Sequence, residues 1–179
     1  NNGMFQDLIG SGPVTGTAGA RPDTGTSVDF DGVNQEISLG SPTEFKLANQ
    51  LTISAWINTD VVTAGRTQRV FGQNGGGYSF GIIGDEFKFT TWGIRDYQTT
   101  TATIVPGVWT HIAAVFDANN DVSFYQNGTL VATIGGDLPA NISSNLFSIG
   151  TNGTAERFAG MIDDVRVYDG ALTTDEVRA

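Results

Sequence analysis

The residues best suited to binding a ligand lie close together, between positions 90 and 98 of the sequence. Trp92 and Tyr97 offer flat aromatic faces that can stack on the apolar face of a sugar ring. The polar side chains of the same segment can hydrogen-bond to sugar hydroxyl groups, and they are Arg95, Asp96 and Gln98. The segment therefore predicts a sugar-binding platform in which both aromatic rings are at least partly exposed.

More polar side chains precede this segment, beside a run of glycines at 75–77 where a ligand can approach the backbone closely. The additional candidates for the same site are Arg66, Gln68, Arg69, Gln73, Asn74 and Tyr78. The alternative is ordinary packing, because an aromatic residue beside a turn often covers the edge of its own core. Both interpretations of the aromatic residues stay open at the level of sequence.

The sequence contains few residues that could act in catalysis. His111 is the only histidine, so a Ser–His–Asp triad could be built around no other residue. The position of His111 in a strand pattern favours a structural role. The adjacent pairs Asp85-Glu86 and Asp163-Asp164 point to opposite faces of an extended chain, and neither pair can act as a facing acid and base. The sequence predicts a non-catalytic protein.

The acidic residues suggest a metal ion. Asp and Glu total 19 residues, of which most are Asp, and this donor set suits a hard cation such as calcium. No EF-hand loop occurs, since no Asp-rich run has the required Gly and Glu spacing. The alternative is that these Asp residues form turns and solvated faces.

Composition narrows the class of protein further. The chain has 179 residues, 24 of them Gly, and a formal net charge of −10. This charge opposes binding to nucleic acid, which depends on clustered cations. No run of 18 apolar residues exists, so we expect no insertion into a membrane.

Alternation of apolar and polar residues with a period of two recurs along the chain and indicates strands. The predicted strands are 28–30, 36–39, 51–58, 69–73, 78–83, 86–92, 99–104, 110–116, 122–126, 130–134, 146–150 and 159–168. The pairs Asn127-Gly128 and Gly84-Asp85 predict tight hairpins. Thr173 and Glu176 have the spacing of a capping box, which predicts a short terminal helical turn.

These elements predict an all-β fold, a two-sheet antiparallel jelly-roll sandwich, because many short antiparallel strands need a second sheet to cover them. Residues 1–27 are rich in Gly, Thr, Ser and Pro and are expected to form an irregular lead-in packed on the domain. The jelly-roll domain is expected to span residues 28–179.

Several segments resemble the laminin-G-like, concanavalin A-like jelly-roll family, in the order that the family has them. They are DFDGVN at 29–34, LTISAWI at 51–57, GVWTHIAAVFD at 107–117, FYQNG at 124–128, FSIG at 147–150 and FAGMIDDVRVY at 158–168. The resemblance implies that Trp56 and Trp109 are buried framework residues. The Glu-x-Asp-x-x-Glu run of the family's glucanases is missing from the sequence.

The same resemblance implies a structural calcium ion between an early strand and the last strand. The matching positions are Asp29, Asp31, Asp163 and Asp164. Together these points predict a non-catalytic extracellular module, part of a longer protein, that binds a glycan. The alternatives are a protein-binding adhesion module, a structural domain of a surface protein, and a divergent polysaccharide-active enzyme.

Overall fold

The computed structural model describes residues 27–73, 75–136, 138–153 and 156–178, and the predicted lead-in therefore lies outside it except for Ser27. Twelve strands, one 3-10 turn and one short α-helix occur in the described part of the chain. They are β1 (Val28–Asp31), β2 (Ile37–Gly40), the 3-10 turn (Thr43–Phe45), β3 (Leu51–Thr59), β4 (Thr67–Gln73), β5 (Tyr78–Ile83), β6 (Glu86–Thr91), β7 (Arg95–Gln98), β8 (Thr110–Phe116), β9 (Val122–Gln126), β10 (Thr129–Ile134), β11 (Phe147–Ile149), β12 (Ala159–Tyr168) and α1 (Thr174–Arg178).

The strands form two antiparallel sheets of six strands each, which confirms the predicted sandwich. The first sheet has the order β1-β12-β3-β8-β9-β10, and the second has the order β2-β11-β4-β5-β6-β7. The first and last of the described strands pair with each other, from Val28 opposite Ile162 to Asp31 opposite Ala159.

The core lies between the two sheets and is rich in phenylalanine. Phe89 of β6 stacks on Phe116 of β8 with ring centroids 5.8 Å apart, and Phe87 stacks on Phe124 of β9 at 6.0 Å. All four rings are buried. Burying an aromatic side chain of this size contributes about 2 kcal/mol, so these pairs tie the second sheet to the first.

Both predicted hairpins are confirmed. Asn127 and Gly128 have φ angles of 49° and 73°, the left-handed pair that a type I′ turn requires between β9 and β10. Gly84, with φ of 58°, begins the two-residue turn between β5 and β6.

Two strand assignments differ from the prediction. The chain reverses after Thr91, where Gly93 has φ of 76° and the Ile94 N–H donates to the Thr91 carbonyl at 3.0 Å. Because of that turn, residues 95–98 return as β7 and pair with β6, although their sequence is mostly polar. Residues 99–104 form an irregular segment, in which Ala102 and Ile104 alternate because both insert into the core.

The terminal helix begins as predicted. Both the N–H and the hydroxyl of Thr173 donate to Glu176 Oε2, at 2.8 Å and 2.9 Å, and the Glu176 N–H donates back to Thr173 Oγ1 at 3.3 Å. This is the reciprocal pattern of a capping box. Within the described residues, no helix is long and apolar enough to cross a membrane.

Candidate ligand-binding face

The outer face of the second sheet carries most of the polar residues predicted for the site. Phe87 and Phe89 of β6 face the core, so Lys88 and Thr90 point away from it. Asp96 of β7 lies opposite Thr90 in the register and shares that outer face.

Arg69 of β4 is the centre of this face. It is only 1% exposed, and its Nε–H donates to Glu156 Oε2 at 2.8 Å while Nη2 donates to Thr90 Oγ1 at 2.8 Å. Its strand approaches β5 closely here, because a side chain at Gly81 would come within 2.1 Å of the Gln68 carbonyl oxygen. Glycine at position 81 is therefore a requirement of the strand pairing that positions Arg69.

Hydrogen bonds continue from Thr90 across the sheet. The Thr90 hydroxyl donates to Asp96 Oδ1 at 2.6 Å, and Lys88 Nζ lies 3.0 Å from Asp96 Oδ2. We call Arg69, Lys88, Thr90, Asp96 and Glu156 the Arg69 network. Its two cations and two anions balance, so the network fixes geometry without imposing a net charge on a ligand.

Trp92 lies against this network. Its side chain is half-buried, and the Arg69 Cζ atom is 5.9 Å from the centroid of the indole. The backbone N–H of Trp92 donates to the Gly77 carbonyl at 3.0 Å, and Asn141 Nδ2 donates to the backbone carbonyl of Trp92 at 2.7 Å. These two bonds hold the residue in place at the end of β6.

Two donors at this point have no acceptor. Trp92 Nε1 and Arg69 Nη1 are both buried, and neither donates to any atom of the described residues. Leaving a buried donor unsatisfied costs roughly 1–3 kcal/mol. Two donors that lack an acceptor among the described residues therefore lie buried beside a partly exposed aromatic plane.

The network also sets the charge of its exposed carboxylate. Burial acts to raise the pKa of Asp96, but hydrogen bonds from Thr90 and Lys88 and the charges of Lys88 and Arg69 outweigh it and lower the pKa. Asp96 is thus held in its ionised form.

Among the predicted site residues, the structure brings Trp92 and Asp96 together. Gln98 lies on the same outer face and donates from Nε2 to Glu86 Oε2 at 2.9 Å. Arg95 is exposed, and its guanidinium carbon lies 5.1 Å from the ring centroid of Tyr97. The cation that lies over Trp92 is Arg69.

The expectation that Tyr97 is a partly exposed stacking surface is wrong. Tyr97 is fully buried, packs edge-on against Phe89 and Phe116, and donates its hydroxyl to the Asn120 carbonyl at 3.2 Å. The reason is the alternation of β7, which turns Asp96 outward and Tyr97 inward. Of the two predicted platform rings, only Trp92 is available to a ligand.

Tyr78 and Gln73 are also framework residues. Tyr78 is buried and donates its hydroxyl to the Phe45 carbonyl at 2.8 Å, and burial raises its pKa. Gln73 is buried and donates from Nε2 to the carbonyls of Ser143 and Asn145, at 3.0 Å and 2.7 Å. Both side chains stabilise loops around the face rather than line it.

The remaining predicted polar residues are dispersed. Arg66 is half-buried and directs its guanidinium toward Gly32. Gln68 is buried and donates to the Val61 carbonyl at 2.8 Å. Asn74 lies outside the described residues.

Trp56 and Trp109 were expected to be buried, and that expectation is wrong for both. Each is half-buried. Trp56 occupies an outward position of β3, since its neighbours Ala55 and Ile57 face the core.

Two members of the network were not predicted. Lys88 could have been found, because it alternates with the core residues Phe87 and Phe89 on a recognised strand. Glu156 could not, because it contacts Arg69 from a loop 87 positions away and has no local pattern around it.

The four predicted metal ligands do not form a cluster. Asp29 and Asp31 are exposed on β1, whereas Asp163 and Asp164 are buried on β12. No group of three or more metal-ligating side chains occurs among the described residues. A calcium ion at these positions would therefore depend on backbone carbonyls and water for most of its ligands.

Existing hydrogen bonds occupy several of these carboxylates. Asp31 Oδ1 accepts the N–H groups of Val33 at 2.8 Å and Asn34 at 3.1 Å, and these bonds lower the pKa of Asp31. Asp164 Oδ1 accepts from Arg166 Nε at 2.7 Å. Calcium binding stays a prediction.

The sequence profile of a laminin-G family in the concanavalin A-like lectin/glucanases superfamily matches residues 31–178. The chain belongs to this family. The match covers nearly all of the strands described above, and it confirms the resemblance found in the sequence. No curated protein matches the sequence significantly.

Solved structures share this fold. Domain 4 of AbnA, a GH43 extracellular arabinanase from Geobacillus stearothermophilus solved in complex with arabinotriose, is 24% identical with a TM-score of 0.72 and aligns over 98% of this chain and 86% of its own. The CBM40 of a Ruminococcus gnavus IT-sialidase, bound to α2,6-sialyllactose, is 20% identical with a TM-score of 0.62 over 81% and 95%.

A third similar structure is the binding domain of Paraclostridial Mosquitocidal Protein 1. It is 15% identical with a TM-score of 0.74, and the alignment covers 99% of this chain and 47% of that one. At these identities the likenesses establish a shared fold.

Proposed function

We propose that this protein is a non-catalytic carbohydrate-binding module that works outside the cell as part of a longer protein. The glycan binds at the outer face of the second sheet, with Trp92 as the stacking surface and the Arg69 network as its support. The proposal is supported by the site's chemistry and by the saccharides present in two structures of the same fold.

The observation that carries the proposal is the pair of unused donors. Trp92 Nε1 and Arg69 Nη1 lie beside one half-exposed indole and have no acceptor among the described residues. A sugar presents hydroxyl and ring oxygens next to an apolar face. The oxygens can accept hydrogen bonds from such donors, and the apolar face can stack on the indole. Both donor atoms are buried, so the indole has to shift for a sugar to reach them; binding would then satisfy donors that have no acceptor among the described residues.

The carboxylates of the site favour binding over catalysis. Asp96 is bonded to Lys88 and Thr90, and Glu156 to Arg69. A general acid needs a raised pKa so that it holds a proton near neutral pH. The pKa of Asp96 is lowered instead, so this carboxylate is suited to accept hydrogen bonds from a ligand.

A protein ligand is the second candidate. Three large apolar side chains are exposed on the segment that flanks Trp92 through Asn141, and these are Leu138, Ile142 and Leu146. Exposed apolar groups close together can mark a protein contact. Binding that is lost when these three residues are replaced by Ser, and unaffected at Trp92, would favour this candidate.

A glycan array tests the proposal directly. The wild-type protein is expected to retain a defined set of oligosaccharides, and Trp92→Ala should weaken that binding by about 1–3 kcal/mol, the contribution of one aromatic side chain. Trp109→Ala is the matched control, since Trp109 is also half-buried but precedes β8 in the first sheet. Equal losses in both variants, or no retained glycan, would contradict the proposal.

A further inference from the structure

A second groove lies on the opposite side of the molecule, on the outer face of the first sheet. It encloses about 390 Å³, within the range of roughly 300–1,000 Å³ typical of small-molecule sites. Its floor is formed by β3, β8 and β12, and its walls by α1 and the β9–β10 turn. The residues that line it include Ser54, Trp56, His111, Asn127, Asp164 and Arg166.

The floor of this groove offers an aromatic surface. Trp56 is half-buried and adjoins His111, with ring centroids 5.5 Å apart and an interplanar angle of 56°. Next to Trp56 on the same outer face lies Ser54, which is small and leaves open space above the strand. An open, aromatic floor of this kind can receive the apolar face of a ring.

The charges of the groove cancel. Asp164 is paired with Arg166 at 2.7 Å, and Glu176 is engaged by the Thr173 cap. Arg178 supplies the second cation and donates from Nε to the Gly128 carbonyl at 2.9 Å. Two anions and two cations line one small space, so the groove has no net charge to attract an ionic ligand.

The walls are already fixed in the unliganded protein. Thr52 Oγ–H donates to the Gly170 carbonyl at 2.8 Å, and the Leu172 N–H donates to Thr52 Oγ1 at 3.0 Å. Tyr125 and Thr174 join their hydroxyls at 3.1 Å. A groove whose walls are bonded in place loses little entropy when a ligand enters.

A polar side chain at the rim is available to a ligand. Asn127 Oδ1 accepts a hydrogen bond from the backbone N–H of His111 at 2.9 Å. The side-chain nitrogen of Asn127, Nδ2, donates to no described residue. We infer that this groove is a second binding site, specific for a neutral sugar ring that stacks on Trp56 and accepts a hydrogen bond from Asn127 Nδ2. The site is separate from the Trp92 face and does not depend on it.

Fluorescence of a protein with one tryptophan tests this inference. The chain has three tryptophans, so the double variant Trp92→Phe, Trp109→Phe leaves Trp56 as the only reporter and removes the indole of the other face. The probes are arabinose, xylose, glucose, galactose and mannose, each titrated to about 100 mM because one ring alone binds weakly. At least one of them is expected to give a saturable change in Trp56 emission.

Three further variants in this background locate the binding. Ser54→Phe fills the groove and should abolish the change, whereas Ser123→Phe, on β9 outside the groove, should leave it intact. Asn127→Asp keeps the turn and the acceptor for His111 but removes the donor, and should weaken binding about fivefold. Circular dichroism establishes that each variant is folded.

The inference is overturned if none of the five sugars gives a saturable change, or if the change persists in the Ser54→Phe variant. Either result leaves the Trp92 face untouched, because Trp92 is replaced throughout. Conversely, a failure of Trp92→Ala to weaken glycan retention would not affect the groove.

Discussion

Arg69 and Trp92 meet on the outer face of the second sheet, with the guanidinium carbon 5.9 Å from the indole centroid. Each side chain carries one buried donor that has no acceptor in the part of the chain that the structure describes. The fold brings them together from β4 and from the turn after β6. Their contact defines the place at which we expect a ligand.

Replacing Trp92 by Phe should separate binding from stability. The ring face is retained, but the Nε1 donor, which has no acceptor among the described residues, is removed. The free energy of unfolding of the unliganded protein should therefore rise or stay constant. Glycan affinity should fall, because the ligand loses a donor. Thermal unfolding and calorimetric titration measure the two effects, and a loss of stability without a loss of affinity would contradict this role.

Tyr97 should behave as a core residue. Tyr97→Phe removes its hydrogen bond to Asn120 and should cost about 1 kcal/mol of stability. Tyr97→Ala should cost about 3–5 kcal/mol, because it leaves a cavity among buried rings. Urea unfolding measures both changes. Glycan affinity of the folded Tyr97→Phe variant should equal that of the wild type, and a selective loss of affinity would restore Tyr97 as a ligand contact.

Calcium should raise the thermal midpoint if the predicted site exists, because an ion that binds only the folded state stabilises it by mass action. The comparison is millimolar calcium against excess chelator. Asp31→Asn is the informative variant, since it keeps an acceptor for Val33 and Asn34 but removes the charge. Asp163→Asn and Asp164→Asn test the β12 carboxylates in the same way.

The calcium prediction fails if the midpoint is the same in calcium and chelator and elemental analysis finds no bound ion. A midpoint that rises equally in the wild type and in all three variants would place the ion elsewhere.

Stability should decline in acid. Backbone hydrogen bonds lower the pKa of Asp31 and of Glu176, and the Arg69 network lowers that of Asp96. Each folded-state pKa lies below the unfolded value of about 4, so the contribution to stability is complete above about pH 5 and is lost as the pH falls. Unfolding between pH 3 and 7 measures this loss. Asp96→Asn should reduce the loss of unfolding free energy between pH 7 and pH 3. An unchanged loss would show that Asp96 does not contribute to the pH dependence of stability.

The fold could be predicted because its signals are local. Alternation in β3 and the Asn127-Gly128 turn each specify their own conformation within a few residues. β7 was missed because three of its four residues are polar, and it becomes a strand only through pairing with β6.

The site could be predicted only in part. Trp92 and Asp96 were found because they are close in sequence, but the same proximity suggested that Tyr97 belonged with them. The reversal at Gly93 places Trp92 and Tyr97 on opposite faces of the sheet. Glu156 reaches Arg69 from a distant loop, and only the tertiary fold brings these two side chains together.

A glycan is expected to bind against Trp92, and the indole N–H resonances of the three tryptophans report on this contact. Single Trp→Phe variants assign the three signals. On titration with an oligosaccharide retained by the array, we expect a saturable shift of the Trp92 signal, while the Trp109 signal stays constant. A retained oligosaccharide that saturates the protein without moving the Trp92 signal would show that the glycan binds elsewhere.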